Sequence, residues 1–163
     1  MIKRSSQKVV STLTPKEAQI KLETLCAKGE HCTFELRQKL WKWKISSLET
    51  DKIINNLIKA HFVDDVRYAR SYINDKVRFS RWGLRKISVA LVAKHIDRDI
   101  IHDLLKDVDK QLLEDNLIYI LSVKARSISE VNTYDGRTKL FRYGISRGYH
   151  PELVSKIIRS HFI

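Results

Sequence analysis

The residues of this chain whose types and spacing could perform chemistry are cations grouped around an aromatic ring. Residues 76–94 contain basic side chains and no acidic one. The basic residues of this run are Lys76, Arg78, Arg81, Arg85, Lys86 and Lys94. Trp82 lies among them in residues 80–83, where a loop would leave the indole at the surface. Cations bind phosphates, and an exposed aromatic ring beside them can stack on bases. The run therefore predicts a surface for a polyanion.

Two further basic clusters occupy related places in the sequence. The earlier one comprises Arg37, Lys39, Lys42 and Lys44, and the later one comprises Arg137, Lys139, Arg142 and Arg147. Trp41 lies inside the earlier cluster, where it could stack on bases or pack between structural units. Packing is expected, because the corresponding positions hold Val92 and Ile145. The cations have a plainer alternative as well, since they can simply solvate the outer faces of amphipathic helices.

The overall charge agrees with an anionic partner. The chain has 163 residues, of which 43% are hydrophobic, and a formal net charge of +12 at pH 7. This composition supports a packed core and predicts attraction to nucleic acid or to an acidic protein face. No apolar run is long enough for a membrane span, and the first residues do not resemble a secretory signal. We therefore expect no membrane partner and a cytoplasmic location.

The sequence lacks the motifs of catalysis and of cofactor binding. It contains no glycine-rich phosphate loop, no nucleophile elbow and no Cys-x-x-Cys pair. Cys26 and Cys32 are too few for a disulfide framework, and with His31 they do not complete a zinc site. We expect no catalytic residue, no metal, no cofactor and no enzymatic activity.

Helices must position these residues, because apolar residues recur at helical spacing and only two prolines interrupt the chain. Thr14 and Glu17 form a capping box around Pro15, which opens a first helix ending near Gly29. Further helices are predicted over residues 33–44, 48–61, 64–79, 84–95, 97–108, 110–128, 137–147 and 151–160. A loop is expected at Asp135-Gly136. Residues 1–13 are predicted to form a flexible basic arm.

The apolar pattern repeats with a period of about 50 residues. Leu36, Leu40 and Ile45 correspond to Ile87, Leu91 and Ile96, and then to Leu140, Gly144 and Tyr149. The period predicts an all-α fold of three tandem three-helix repeats, each helix-turn-helix-like, at residues 14–62, 63–108 and 109–163. Stacked units of this kind offer an extended surface to a long partner rather than a cleft to a small substrate.

One segment resembles a known protein family. Residues 62–70, Phe-Val-Asp-Asp-Val-Arg-Tyr-Ala-Arg, are similar to the L-D-D-x-R-F-A motif of the RecX regulatory proteins. A basic stretch follows, with Gly83, Ile87 and Leu91 in that family's Gly-x-x-x-Ile-x-x-x-Leu spacing. The resemblance covers about residues 15–162 and includes Glu35-Leu36 and residues 139–149. This chain departs from the family in lacking the usual glycine in the small loop after the second helix, where it has Trp43-Lys44-Ile45.

The resemblance implies an elongated, curved array of three-helix repeats that binds in the groove of the filament formed by the RecA recombinase on DNA. It implies inhibition of RecA ATP hydrolysis, strand exchange and filament growth, and thereby regulation of recombination, DNA repair and the SOS response. The protein is expected to be a monomer with weaker, sequence-independent affinity for single- or double-stranded DNA. The alternative is a sequence-independent nucleic-acid-binding helical repeat protein or a helix-turn-helix DNA binder.

The resemblance also divides the notable residues into structural and binding candidates. The matched family residues, expected to be structural, are Asp64, Asp65, Arg67, Ala69 and Gly83. An aspartate of this motif is expected to cap its helix, Ala69 to allow close packing and Arg67 to form an ion pair. The candidates for contact with RecA or DNA are Lys76, Arg78, Arg81, Trp82, Arg85, Lys86, Arg37, Lys39, Lys42, Arg137, Lys139, Arg142 and Arg147.

Overall fold

The computed structural model describes residues 13–162, so all of the predicted basic arm except Leu13 lies outside the described residues. Within residues 13–162 the chain forms nine α-helices and no β-strand, which confirms the predicted all-α fold. The helices are α1 (Pro15–Cys26), α2 (Thr33–Lys42), α3 (Ser47–Lys59), α4 (Asp65–Arg78), α5 (Leu84–Ala93), α6 (Arg98–Lys106), α7 (Lys110–Ala125), α8 (Tyr134–Ser146) and α9 (Pro151–His161). The division into repeats at residues 14–62, 63–108 and 109–163 stays a prediction.

The described residues divide into two compact units, one ending at Asp65 and the other beginning at Val66. In the first unit, α1 and α2 both pack on α3. The core of this unit consists of Ala18, Leu22, Leu36, Leu40, Ile53, Ile54, Leu57 and Val63. Burial of each large side chain in this set stabilises the fold by about 1.5–3 kcal/mol. The apolar faces of the three helices therefore favour packing against one another.

The predicted capping box opens α1. The Thr14 hydroxyl accepts a hydrogen bond from the Glu17 N–H at 3.3 Å, and the Glu17 carboxylate accepts one from the Thr14 N–H at 2.9 Å. The bond from the Thr14 backbone, followed by that from its hydroxyl, lowers the pKa of Glu17. The sequence pattern therefore placed the start of this helix correctly.

In the second unit, α7, α8 and α9 pack pairwise and α5 packs on α6. Gly144 allows the close approach of α8 and α9, because a Cβ there would lie 2.8 Å from Val154 Cγ1. The buried Asn116 of α7 donates from Nδ2 to the Val77 carbonyl of α4 at 2.9 Å. Because a buried amide is costly without a partner, this bond specifies how α4 and α7 meet.

The middle helix of each predicted repeat ends in the same left-handed cap. The residues that follow α2, α5 and α8 are Lys44, His95 and Gly148, with φ angles of 59°, 58° and 91°. After α2 the Ile45 N–H donates to the Leu40 carbonyl at 3.0 Å, as in a Schellman motif. The equivalent bonds run from Ile96 to Leu91 and from Tyr149 to Gly144, both at 3.2 Å. These bonds join the same residues that define the repeat in the sequence.

The structure corrects the loop predicted at Asp135-Gly136. α8 begins at Tyr134, and the Thr133 hydroxyl accepts from the Gly136 N–H at 3.1 Å. Asp135 and Gly136 therefore form the first helical turn, where an acidic side chain is favoured by the helix dipole. Gly136 serves close packing instead of a turn, because a Cβ would lie 2.1 Å from the Glu130 carbonyl oxygen.

The expectation that Trp41 packs between units is wrong. Trp41 is 77% exposed, whereas Leu36 and Leu40 of the same helix are fully buried. On a helix, Trp41 lies about 100° from Leu40 and about 140° from Leu36, so the buried face of α2 does not include it. Val92 and Ile145 are half-buried, so the three corresponding positions do not share one environment.

Candidate functional site

The second unit brings together cations and aromatic rings from α4, α5 and the segment between them. The Lys76 Nζ lies 4.9 Å from the centroid of the Trp82 ring, and the Lys86 Nζ lies 4.5 Å from it. Two ammonium groups thus lie near one indole at distances over which cation–π attraction operates. Because an ammonium group carries three donors, contact with a ring leaves donors for a phosphate or a carboxylate.

The alternation of cations and rings continues along α4. Lys76 Nζ also lies 5.2 Å from the Tyr72 ring centroid. Lys94 Nζ lies 5.6 Å from the ring centroid of Tyr68 and 6.0 Å from that of Tyr72. We call this set the cation–aromatic surface, and its members are Tyr68, Tyr72, Lys76, Trp82, Lys86 and Lys94. Tyr68 is buried beneath it, and the other five side chains are half-buried. The two tyrosines were missed in the sequence, although Tyr68, Tyr72 and Lys76 follow one another at intervals of four residues, which places them on one helix face.

Arg147 links the turn after α8 to the segment that carries Trp82. Its guanidinium donates to the Ser80 carbonyl. Its Nε is buried and has no hydrogen-bond partner in the part of the chain that the structure describes. The side chain is half-buried, so its position suits a positioning role for residues 80–83.

Arg81 is held in place through both its backbone and its side chain. Its guanidinium lies over the Tyr119 ring, 4.1 Å from the centroid, and its φ is 49°. Its carbonyl accepts a hydrogen bond from the Tyr149 hydroxyl at 3.1 Å. These contacts determine the path of the chain on the N-terminal side of Trp82.

Gly83 and Gly148 allow the backbones of these two segments to touch. The Gly83 N–H donates to the Arg147 carbonyl at 2.8 Å, and the Arg85 N–H donates to the Gly148 carbonyl at 3.1 Å. A Cβ on Gly83 would lie 2.3 Å from the carbonyl carbon and oxygen of Gly148. Gly83 is the N-cap of α5 and has no side chain that could accept a hydrogen bond from the helix. The carbonyls of Arg147 and Gly148 therefore accept from N–H groups at the start of α5. We call the contacts among residues 80–85, Tyr119 and residues 147–149 the junction.

Tyr149 is the buried polar side chain of the junction. Burial raises the pKa of Tyr149 to about 12, although the guanidinium groups of Arg147 and Arg81 act in the opposite direction. The hydroxyl therefore stays protonated at neutral pH and keeps donating to the Arg81 carbonyl.

The other candidates beside the cation–aromatic surface are more open. Arg78 and Arg85 are exposed, and the Arg78 Nε donates to the Asn74 Oδ1 at 3.3 Å. Their role as contacts stays a prediction.

The candidates on α2 and α8 have mixed surroundings. Arg37 forms an ion pair with Asp51 at 2.7 Å, while Lys39 is half-buried and Lys42 is exposed. On α8, Lys139 and Arg142 are exposed and Arg137 is half-buried. Their contact roles also stay predictions, with Arg37 the most strongly engaged inside its own unit.

Asp65 of the family motif serves the start of α2. Its carboxylate accepts from the Thr33 N–H at 2.8 Å and from the Thr33 hydroxyl at 2.7 Å. The N-cap of α2 is Cys32, which makes no side-chain capping bond, so Asp65 supplies the missing acceptor. The sequence did not indicate this pairing, because Thr33 lies two helices before Asp65.

The remaining motif residues fall into buried and exposed positions. Ala69 and Gly83 are buried, in agreement with close packing at both, whereas Asp64 and Arg67 are exposed. The ion pair expected for Arg67 and a capping role for Asp64 stay predictions.

Two kinds of feature are absent from the described residues, a cluster of metal-ligating side chains and a membrane-spanning helix. Across residues 13–162, no three His, Cys, Asp or Glu side chains are grouped so that they could hold a metal ion. None of the helices described here combines the length and the apolar character needed to cross a bilayer. The cation–aromatic surface is the strongest candidate site in the second unit because it gathers cations around the Trp82 ring.

Known proteins similar to this chain agree in their family. A model of the second three-helix domain of RecX matches residues 64–105. The regulatory protein RecX of Clostridium beijerinckii is 35% identical over 127 residues, which cover 77% of this chain and 59% of that protein. That of Clostridium botulinum strain Alaska E43 is 28% identical over 110 residues, which cover 66% of this chain and 51% of that protein. The chain therefore spans little more than half the length of these relatives.

A solved structure has the same fold. The crystal structure of RecX from Lactobacillus salivarius matches with a TM-score of 0.79 at 22% sequence identity. The match covers 90% of this chain and 95% of that chain. An all-α helical repeat fold is therefore shared along almost the whole chain.

Proposed function

The chain belongs to the RecX family of regulatory proteins, and from this membership we propose that it binds the RecA–DNA filament and restrains RecA activity. The cation–aromatic surface is the observation that supports this proposal most directly. The residues matched by the family model include Tyr68, Tyr72, Lys76, Trp82, Lys86 and Lys94, which are all six of its members.

The chemistry of this surface suits a nucleoprotein filament. Such a filament presents DNA phosphates and acidic protein side chains, and both are acceptors for lysine ammonium groups. Aromatic side chains add contact area with little loss of rotamer entropy, which is why tyrosine and tryptophan are common in protein interfaces. Cations at the edge of an interface mainly raise the association rate and determine the register of binding.

The junction makes the surface ready to bind. Contacts from Arg147, Tyr149 and the Gly148 backbone determine the course of residues 80–85 before any partner arrives. An ordered surface loses less conformational entropy on binding than a mobile one, so the same contacts give a higher affinity. We therefore assign Arg81 and Arg147 positioning roles, and Arg78 and Arg85 roles in contact.

The direct test measures RecA ATP hydrolysis on single-stranded DNA at a ratio well below one chain per RecA. Strong inhibition at that ratio is expected, because one regulator bound to a filament can block its growth. An unchanged rate would contradict the proposal.

Charge-reversed variants locate the site. The double variant Lys76→Glu/Lys86→Glu is expected to need about tenfold more protein for the same inhibition, since it reverses two central contacts. The matched control, Lys59→Glu/Lys110→Glu, changes the net charge equally at exposed positions outside the surface and should inhibit like the wild type. Equal inhibition by both doubles, with unchanged circular dichroism, would exclude the cation–aromatic surface.

A second candidate function is sequence-independent binding of nucleic acid without RecA. The two ammonium groups beside one indole favour it, because phosphate contacts require no particular base. In that case the ATPase rate would stay unchanged, and the protein would leave naked DNA at modest salt. Protection of a single preferred DNA sequence in a footprint would favour the helix-turn-helix alternative.

A further inference from the structure

Trp41 is an aromatic residue that the fold does not explain. Of the apolar residues of α2, Leu36 and Leu40 are fully buried and complete the core of the first unit. Trp43, just after the helix, packs against that core, and the Lys21 Nζ lies 5.8 Å from its ring centroid. Trp41 is 77% exposed and faces away from the core, so it contributes little to folding.

The surroundings of Trp41 are cationic. A surface recess beside the indole is lined by Trp41, Lys42, Lys44 and Ile45, so its lining carries two positive charges and no negative one. Lys44 follows Trp41 by three residues, at the left-handed cap that ends α2. Arg37 is on the same helix face, four residues earlier, but its charge is paired with Asp51 at 2.7 Å. Lys42 and Lys44 are therefore the cations available to a ligand at the indole.

We propose that Trp41, with Lys42 and Lys44, forms a base-stacking site for single-stranded nucleic acid in the first unit. An exposed indole offers a flat face to an unpaired base, and the two ammonium groups can reach the adjoining phosphates. A protein pocket would be a poorer match, because Trp41 is the one large apolar side chain exposed on α2 within the described residues. A hydrophobic protein contact needs a continuous apolar patch, whereas a base stacks on a single ring.

The site is independent of the proposed action on RecA. It lies on α2 in the first unit, whereas the cation–aromatic surface belongs to the second. Its test uses nucleic acid alone, so failure of this site and failure of RecA inhibition are distinguishable.

The test is binding of the full chain to a fluorescein-labelled 15-nucleotide oligo(dT), measured by anisotropy. Trp41→Ala is expected to weaken binding about tenfold or more, which is the usual effect of removing one stacking aromatic. Trp41→Phe keeps a ring and should bind within a few-fold of the wild type. Leu48→Ala is the matched control, because Leu48 is a large apolar side chain of the same unit that is 67% exposed.

Salt dependence separates stacking from charge. Lys42→Gln/Lys44→Gln should reduce the slope of log K against log salt by about 1.4, because each phosphate of a single strand that a lysine no longer neutralises lowers the slope by about 0.7. Trp41→Ala should lower the affinity at every salt concentration without changing that slope. A slope change in Trp41→Ala as large as in the double variant would overturn the stacking role.

Other probes decide which partner the indole serves. A blunt-ended duplex without a loop hides the faces of its paired bases, so Trp41→Ala should leave duplex binding unchanged, and an equally weakened duplex complex would overturn the proposal. Oligo(U) is included to compare RNA with DNA. Weaker binding of Trp41→Ala than of the wild type to either single strand supports the site. Unchanged oligonucleotide binding by Trp41→Ala, with weaker binding to RecA filaments, would identify a protein contact and overturn it. Circular dichroism should show an unaltered fold, because Trp41 buries little surface.

Discussion

The N–H groups at the starts of α2 and α5 find their hydrogen-bond acceptors in different ways. The N-cap residues of these helices, Cys32 and Gly83, make no side-chain capping bond. At α2 the carboxylate of Asp65 accepts from the Thr33 N–H and hydroxyl, at 2.8 Å and 2.7 Å. At α5 backbone carbonyls accept instead. The Arg147 carbonyl accepts from the Gly83 N–H, and the Gly148 carbonyl accepts from the Arg85 N–H.

The difference shows that a helix start can depend on distant residues in two ways. The start of α2 depends on the presence of one particular chemical group, because only a side chain with an acceptor can reach Thr33. The start of α5 depends on the absence of side chains, because two backbones must touch. The second arrangement also determines the position of Trp82, so a change there should affect function as well as stability.

The largest effect is expected from Gly83→Ala. The new Cβ would lie 2.3 Å from the carbonyl carbon and oxygen of Gly148, so the junction must separate. We expect a decrease of about 3 kcal/mol in the free energy of unfolding, measured by urea denaturation, and weaker inhibition of RecA. The control is Gly29→Ala, because a Cβ at Gly29 would meet no atom within 4 Å apart from those of its chain neighbours. Wild-type stability in Gly83→Ala would show that the backbones do not need this contact.

The next largest effect tests the side-chain cap of α2. Asp65→Ala removes the acceptor of two hydrogen bonds and should cost about 2 kcal/mol of unfolding free energy, while Asp65→Asn keeps one acceptor and should cost less. A double-mutant cycle with Thr33→Val isolates the bond to the hydroxyl, and its coupling energy should be about 1 kcal/mol. Additive effects would mean that the Thr33 hydroxyl and Asp65 act separately.

A smaller effect is expected from Tyr149→Phe, which removes the hydrogen bond to the Arg81 carbonyl and should cost about 1 kcal/mol. The pKa of Tyr149 is raised from 10.0 to about 12, so the folded state keeps a proton that the unfolded state loses. This contribution to stability is complete below pH 10 and is lost as the pH rises to about 12. The thermal midpoint from pH 9 to 12 should therefore fall less steeply for Tyr149→Phe than for the wild type. The control Tyr134→Phe alters an exposed ring and should follow the wild-type curve.

The smallest effect concerns the other ends of the two helices. Lys44 and His95 end α2 and α5 with φ angles of 59° and 58°, which glycine adopts more easily than other residues. Lys44→Gly should stabilise the protein by about 0.5 kcal/mol, because relief of backbone strain exceeds the added entropy of the unfolded chain. His95→Gly gains the same relief at an exposed side chain, so it should stabilise the protein by a similar amount. A lower thermal midpoint for Lys44→Gly would show that its side chain matters more than its backbone.

Local signals in the sequence were enough to locate most helices. Thr14 with Glu17, Asp97 and Asp109 act on N–H groups within three residues, and their bonds are present at the starts of α1, α6 and α7. The apolar period likewise placed Leu36 and Leu40 in the core. Local rules failed at Asp135-Gly136, because Thr133 provides an earlier cap and the close approach of Glu130 requires glycine.

The candidate site was only partly accessible from the sequence. Its cations and Trp82 stand out as an acid-free run, but Tyr68 and Tyr72 do not, because tyrosines on a helix can equally fill a core. The exposure of Trp41 was missed because corresponding apolar positions were assumed to share one environment. The sequence places a side chain on a helix face, whereas its exposure depends on whether another element covers that face.

The sequence by itself determined that this protein is an all-α helical repeat with basic clusters at related places. Helical spacing and capping act over a few residues, so they can be recognised without knowing the rest of the fold. Only the tertiary structure decided which distant groups meet: Asp65 at Thr33, and the Gly148 backbone at Gly83. Such pairs depend on how all the intervening helices pack, and no local pattern contains that information.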